Sequence, residues 1–115
     1  MKKLIVVLIA LVAFSIAPNT THADSTPDLA VTLKAAKQGN ANGQYNLGLR
    51  YSLGEGIAKD MVLAYAWLNL AAINSDADAV KMRDMVERNL DPAGRNEGQR
   101  LASNWEIGQS IKREK

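Results

Sequence analysis

The chain has 115 residues, 47% of them hydrophobic, with 14 basic residues against 12 acidic, one histidine and no cysteine. The lack of cysteine excludes disulfides, thiolate metal sites, a cysteine nucleophile and a lipid-modified cysteine. The formal charge of +2 falls to zero when Lys2 and Lys3 are set aside, which leaves no concentrated basic face for a nucleic-acid partner.

The first element is MKKLIVVLIALVAFSIAPNTTHADS, where Lys2 and Lys3 precede an apolar stretch from Leu4 to Ala17 that Pro18 closes. This predicts a signal peptide over residues 1–23. The stretch is shorter than the roughly 20 residues a helix needs to cross a bilayer. Thr21-His22-Ala23 sets small residues where a signal peptidase reads. Cleavage after Ala23 would deliver residues 24–115 to the periplasm or beyond, with no stable membrane anchor. His22 would leave with the leader, and with it histidine-based catalysis and metal ligation. No cofactor, metal site or catalytic residue is expected in what remains.

Five helices are predicted next. From Asp28 to Gln38, Leu29, Val31, Leu33, Ala35 and Ala36 suit a short helix that stops at Gly39, a residue fitted to the left-handed conformation after a helix. From Asn42 to Leu53, Gln44, Leu47, Gly48 and Tyr51 share one face. Gly48 costs about 1 kcal/mol relative to alanine within a helix, and gives a second helix close approach in return. Gly54-Glu55-Gly56 raises the question of a phosphate cradle. A dinucleotide fingerprint needs a strand before it and a third glycine, but a helix precedes Gly54 and Lys59 stands at the third position. The glycines therefore read as a corner between helices.

Asp60 is the expected N-cap of the next helix, Met61 to Ile73, in which only Asn69 is polar. That helix should be the central one, packed on both flanks. Ala77 to Asn89 predicts an amphipathic helix with Ala79, Val80, Met82 or Arg83, Val86 and Leu90 inward. Asp91-Pro92 reads as an N-cap and first helical residue, opening a helix to about Ile111. Leu101, Ala102, Trp105 and Ile107 should cover the end of the stack, Gly94, Gly98 and Gly108 should weaken the helix, and the tail from Ile111 should be a solvated helix end.

A repeat underlies these elements: Ala35, Ala36 and Ala41 recur as Ala71, Ala72 and Ala77, an offset of 36 residues. Periods of this size mark solenoids of stacked helix pairs. Gly39 to Gly48, then Tyr51, Gly54, Gly56, Asp60, Ala64, Trp67, Ala71 and Ala72, resemble the Sel1-like repeat, a relative of the tetratricopeptide repeat. The resemblance covers one full unit over 41–74, a partial unit over 28–39, and a helical cap over 77–112. It implies an all-α fold, a short α/α solenoid of about one and a half Sel1-like helix pairs with a C-terminal helical cap. Leu47, Gly48, Tyr51, Gly54, Gly56, Asp60, Ala64, Trp67, Ala71 and Ala72 would be its structural positions. Gly43 departs from the family, which usually has alanine there, as does Ile57-Ala58-Lys59, where a valine-led turn is usual.

The resemblance implies a non-catalytic module that binds a protein partner. In helix-pair repeats the first helices line the concave face, so Asn42, Tyr45, Asn46 and Arg50 are the expected binding residues. Tyrosine and arginine favour interface hot spots, and asparagine both donates to and accepts from peptide backbone. Self-association suits a short, neutral stack with ends to cover. A carboxylate-dependent hydrolase is the remaining alternative, but Asp76 and Asp78 read as helix caps, and Asp84 and Glu87 as a solvated face beside Arg83 and Arg88.

Overall fold

The computed structural model describes residues 28–74 and 76–113, and the predicted signal peptide with His22 lies outside them. Five helices follow in order: α1 (Leu29–Lys37), α2 (Ala41–Leu53), α3 (Met61–Ile73), α4 (Ala77–Arg88) and α5 (Pro92–Ser103). Among the described residues there is no strand, and no helix is long and apolar enough to cross a membrane. The architecture is all-α, as the periodicity predicts.

Short side chains decide where the helices begin. Asn40, Asp60, Asp76 and Asp91 each accept from backbone N–H groups of the following first turn, and Pro92 opens α5 without needing a donor. The corners are set by glycine: Gly39, Gly54 and Gly56 have φ of 89°, 74° and 72°. Other residues adopt that left-handed region at a steric cost. Gly54-Glu55-Gly56 is thus the turn between α2 and α3.

The apolar α3 is the hub, packed against α2, α4 and α5, whereas α1 packs on α2. Val62 to Leu68, Leu70 and Ala71 are all buried, so α3 offers water almost nothing. Trp67, Leu63, Ala66 and Leu70 join Ala36, Leu47 and Ala102 in one cluster, while Ala64, Tyr65, Leu68 and Ala71 join Ala79 and Val86 in another. Close approaches depend on missing β-carbons. A Cβ at Gly48 would lie 2.7 Å from Leu68 Cγ, and one at Gly43 would lie 2.6 Å from Ala35 Cβ and 2.9 Å from its carbonyl carbon. The departure at Gly43 therefore has a cause: α1 and α2 cross too closely there for alanine.

In α1 the inward stripe is Thr32 and Ala36, with Leu29 and Leu33 half-buried beside it, and Val31 is 58% exposed. Expectations for the C-terminal stretch are corrected. The last helix stops at Ser103 and does not reach Ile111. Residues 104–113 instead form a strap across the bundle. Gly108 N–H donates to the Lys37 carbonyl at 2.7 Å, with φ of 97° at Gly108. Trp105 meets Trp67 edge to face, with ring centres 6.0 Å apart, and Ile111 is buried with the first cluster. Arg113 then bridges Asp60 at 3.2 Å and Glu97 at 2.9 Å. Ile107 does not cover the stack; it is 73% exposed. Gly94 and Gly98, expected to weaken α5, are buried where it meets its neighbours.

Candidate functional site

The four side chains expected to bind a partner lie on α2, and the fold sends them in different directions. Asn42 and Asn46 border a groove of about 210 Å³ with Val31, Thr32, Ala35, Asn40 and Gly43. Tyr45 turns away from it and packs on the second cluster. Burial raises its phenol above the ordinary value of 10.0, and the nearby Asp78 and Asp76 carboxylates raise it further. Arg50 reaches the corner after α2, where Nη1 donates to the Glu55 carbonyl at 3.4 Å and stands 3.4 Å from where a Gly56 Cβ would be. The groove thus unites two of the four, Asn42 and Asn46.

The polar side chains of the groove differ in how they are engaged. The Asn40 side chain is committed to capping α2, accepting from Gly43 N–H at 2.8 Å. Those of Asn42 and Asn46 bond to no described residue. Thr32 is 2% exposed, and its Oγ1 also has no partner. Buried polar atoms are nearly always paired in folded proteins, and Thr32 Oγ1 is one of four buried side-chain atoms among the described residues that are not, with Trp67 Nε1, Asn69 Nδ2 and Arg95 Nε. Sequence reasoning missed Thr32, because nothing local marks which side of α1 faces α2.

The polar groups elsewhere are largely engaged. Gln44 is fully buried and links three elements: its Nε2 donates to the Ala36 carbonyl at 3.3 Å, and its Oε1 accepts from Asn74 at 3.1 Å. Tyr65 donates to Glu87 Oε1 at 2.6 Å and accepts from Gln99 at 3.1 Å. A second concavity of about 290 Å³ lies between α3 and α5, walled by Asn69, Ile73, Gln99, Ala102 and Ser103. Gln99 is engaged with Tyr65, and Ser103 Oγ donates to the Gln99 carbonyl at 2.8 Å, which leaves Asn69 Nδ2 without a partner there.

The acidic pairs have structural uses. Asp76 caps α4 through Ala79 N–H, Asp78 lies in the first turn of α4, Asp84 pairs with its neighbour Arg83 at 3.0 Å, and Glu87 holds Tyr65. Asp84 and Glu87 are therefore drawn to different partners and do not form a matched acid and base across a cleft. Among the described residues, no three histidine or acidic side chains gather as metal ligands.

Over 69 residues the chain is 35% identical to the alginate biosynthesis protein AlgK of Azotobacter vinelandii. The matched stretch is 60% of this chain and 15% of AlgK, so the chain spans well under two thirds of that relative's length. No family model matches the chain, and no solved structure matches it.

Proposed function

We propose that the chain is an exported, non-catalytic protein-binding module, an adaptor built from about one and a half Sel1-like repeats. In this reading residues 1–23 are the leader, 28–39 and 41–74 are the repeat units, and 77–112 cap them. The observation that carries it is the α1–α2 groove, where Thr32, Asn42 and Asn46 hold polar atoms with no partner inside the fold. The order of helices and the glycine corners at Gly54 and Gly56 support the repeat assignment. The partial similarity to AlgK supports a unit shared with part of a longer protein. The leader-like opening supports export to the periplasm or beyond.

The test is affinity capture from native envelope extract, with Asn46→Ala and Arg50→Ala as paired variants and mass spectrometry as the readout. A partner enriched by the wild type and lost with Asn46→Ala is the expected result. A second reading, self-association, draws on the exposed side chains of Val31, Leu53, Ile73, Met85 and Ile107. No enrichment, together with a defined oligomer in sedimentation, would replace the adaptor reading with that one.

A further inference from the structure

We infer that Asn42-Gly43 is a self-modification site gated by folding. In the unfolded chain the Asn42 carboxamide converts to a carboxylate; in the folded chain it is sheltered, so isoaspartate at position 42 is a lasting record of time spent unfolded. This chemistry is independent of the adaptor reading.

The sequence supplies the reactive pair. Of the 8 glycines in the chain, only Gly43 follows an asparagine. With no β-carbon on Gly43, an unfolded backbone can bring its nitrogen onto the preceding carboxamide at little steric cost. The reaction consumes water and releases ammonia, and needs nothing else. Gly43 N gives its proton to solvent base and attacks Asn42 Cγ, and the Cγ–Nδ2 bond breaks to leave a cyclic imide. Water then opens the ring. Breaking the bond from Cγ to the nitrogen gives aspartate, whereas breaking the bond from the Asn42 backbone carbonyl carbon gives isoaspartate, whose chain runs through the former side chain.

The fold withholds the nucleophile and not the carboxamide. Asn42 is exposed, while Gly43 is buried. The Gly43 N–H donates to Asn40 Oδ1 at 2.8 Å, so its proton is not offered to solvent base. Ring closure also requires the Asn42 ψ to leave the helical range, which would carry the Gly43 peptide off its cap. Gly43 has no room to shift toward α1, where a β-carbon would already lie 2.6 Å from Ala35 Cβ. Conversion therefore waits for the first turn of α2 to open, and its native rate follows the population of that open form.

The two products differ in consequence. Aspartate at position 42 keeps the backbone intact and sets a negative charge in the first turn, where the helix dipole favours it. Isoaspartate inserts an extra backbone atom ahead of Gly43 and takes it out of register with both Asn40 and Ala35, the cap and the crossing that seat α2 against α1.

The experiment uses the protein expressed from its full coding sequence and purified as the cell delivers it, held in mildly alkaline buffer with and without guanidinium chloride. Trypsin releases residues 38–50 as one peptide, in which fragment masses place the converted residue, and an isoaspartate methyltransferase labels the isoaspartate. Conversion is expected at Asn42, at least about ten-fold faster in denaturant. Asn40→Ala should raise the native rate about five-fold through loss of the cap and leave the denatured rate unchanged, while Asn40→Asp, which keeps the cap, should match the wild type in both. Isoaspartate-bearing protein, separated by ion exchange and returned to native buffer, should unfold at lower denaturant than the Asn42→Asp variant, which has the same charge.

Equal rates with and without denaturant, another asparagine converting ahead of Asn42, or a folded Asn40→Ala variant no faster than the wild type would each overturn the gating. So would a fast Asn40→Asp variant, which serves if Asn40→Ala does not fold by circular dichroism. Isoaspartate-bearing protein as stable as Asn42→Asp would overturn the register argument.

Discussion

A β-carbon added at Gly98 would lie 2.6 Å from Cδ2 of Tyr65, with the Val62 carbonyl oxygen 3.3 Å away. The absence of a side chain on α5 is what lets the Tyr65 ring lie flush between α3 and α5. In an isolated helix Gly98→Ala would be favourable by about 1 kcal/mol. Here overpacking against a buried ring outweighs that gain, and a net destabilisation of about 1–2 kcal/mol is expected by urea denaturation. A more stable Gly98→Ala variant would refute the close packing.

Tyr65 itself gives a pH signature. Burial and the bond to Glu87 raise its phenol above 10.0, and burial also raises Tyr51 and Tyr45. Because the folded value lies above the unfolded one, the native state keeps a proton that the unfolded chain has lost. The contribution is whole below about pH 10 and is lost as pH rises through the raised folded value. Tyr65→Phe should cost about 1–2 kcal/mol at neutral pH, since Glu87 and Gln99 lose their shared partner, yet its stability should fall less steeply above about pH 10. Parallel denaturation curves at neutral and alkaline pH check both signs.

In the strap, the two anchors should differ in weight. Ile111 is buried, so Ile111→Ala is expected to cost about 2–4 kcal/mol. The Arg113 side chain is 39% exposed despite its two carboxylate partners, and Arg113→Ala should cost less than about 1 kcal/mol, shrinking further with added salt. Near-ultraviolet circular dichroism of the Trp67–Trp105 pair should follow the Ile111 variant more than the Arg113 variant. The reverse ranking would show that the ion pairs, and not the apolar side chain, hold the strap down.

At the corner, Gly54→Ala should lose about 1–2 kcal/mol, because alanine is strained at φ of 74°. Added inorganic phosphate should leave the melting temperature of the wild type unchanged. A ligand of the native state raises stability with its concentration, so a phosphate-dependent rise would restore the cradle reading.

Much of this was legible because it is local. Asp60 and Asp91 were readable as caps, and Gly39, Gly54 and Gly56 as corners, since each needs only its neighbours to explain it. The central position of α3 followed from a run of residues with nothing to offer water. The strap was not legible: Leu101 and Trp105 stand four residues apart, a helical spacing, while the groups that hold residues 104–113 in place are distant in sequence, Lys37 bonding Gly108 and Asp60 bonding Arg113. At the groove, Asn42 and Asn46 could be read as outward-facing residues of one helix. Their companion Thr32 could not, because its role depends on how α1 is rotated against α2. Gly98 was read for its helix propensity, while its effect is on packing.

A stack of helices joined only to their neighbours unravels from its ends, one layer at a time. Here residues 104–113 fasten the end of α1 to the start of α3 and to α5, so the outermost helix cannot peel away while the strap remains seated. By contrast α4, which no bond of the strap reaches, is held mainly by α3 and is the layer free to part first.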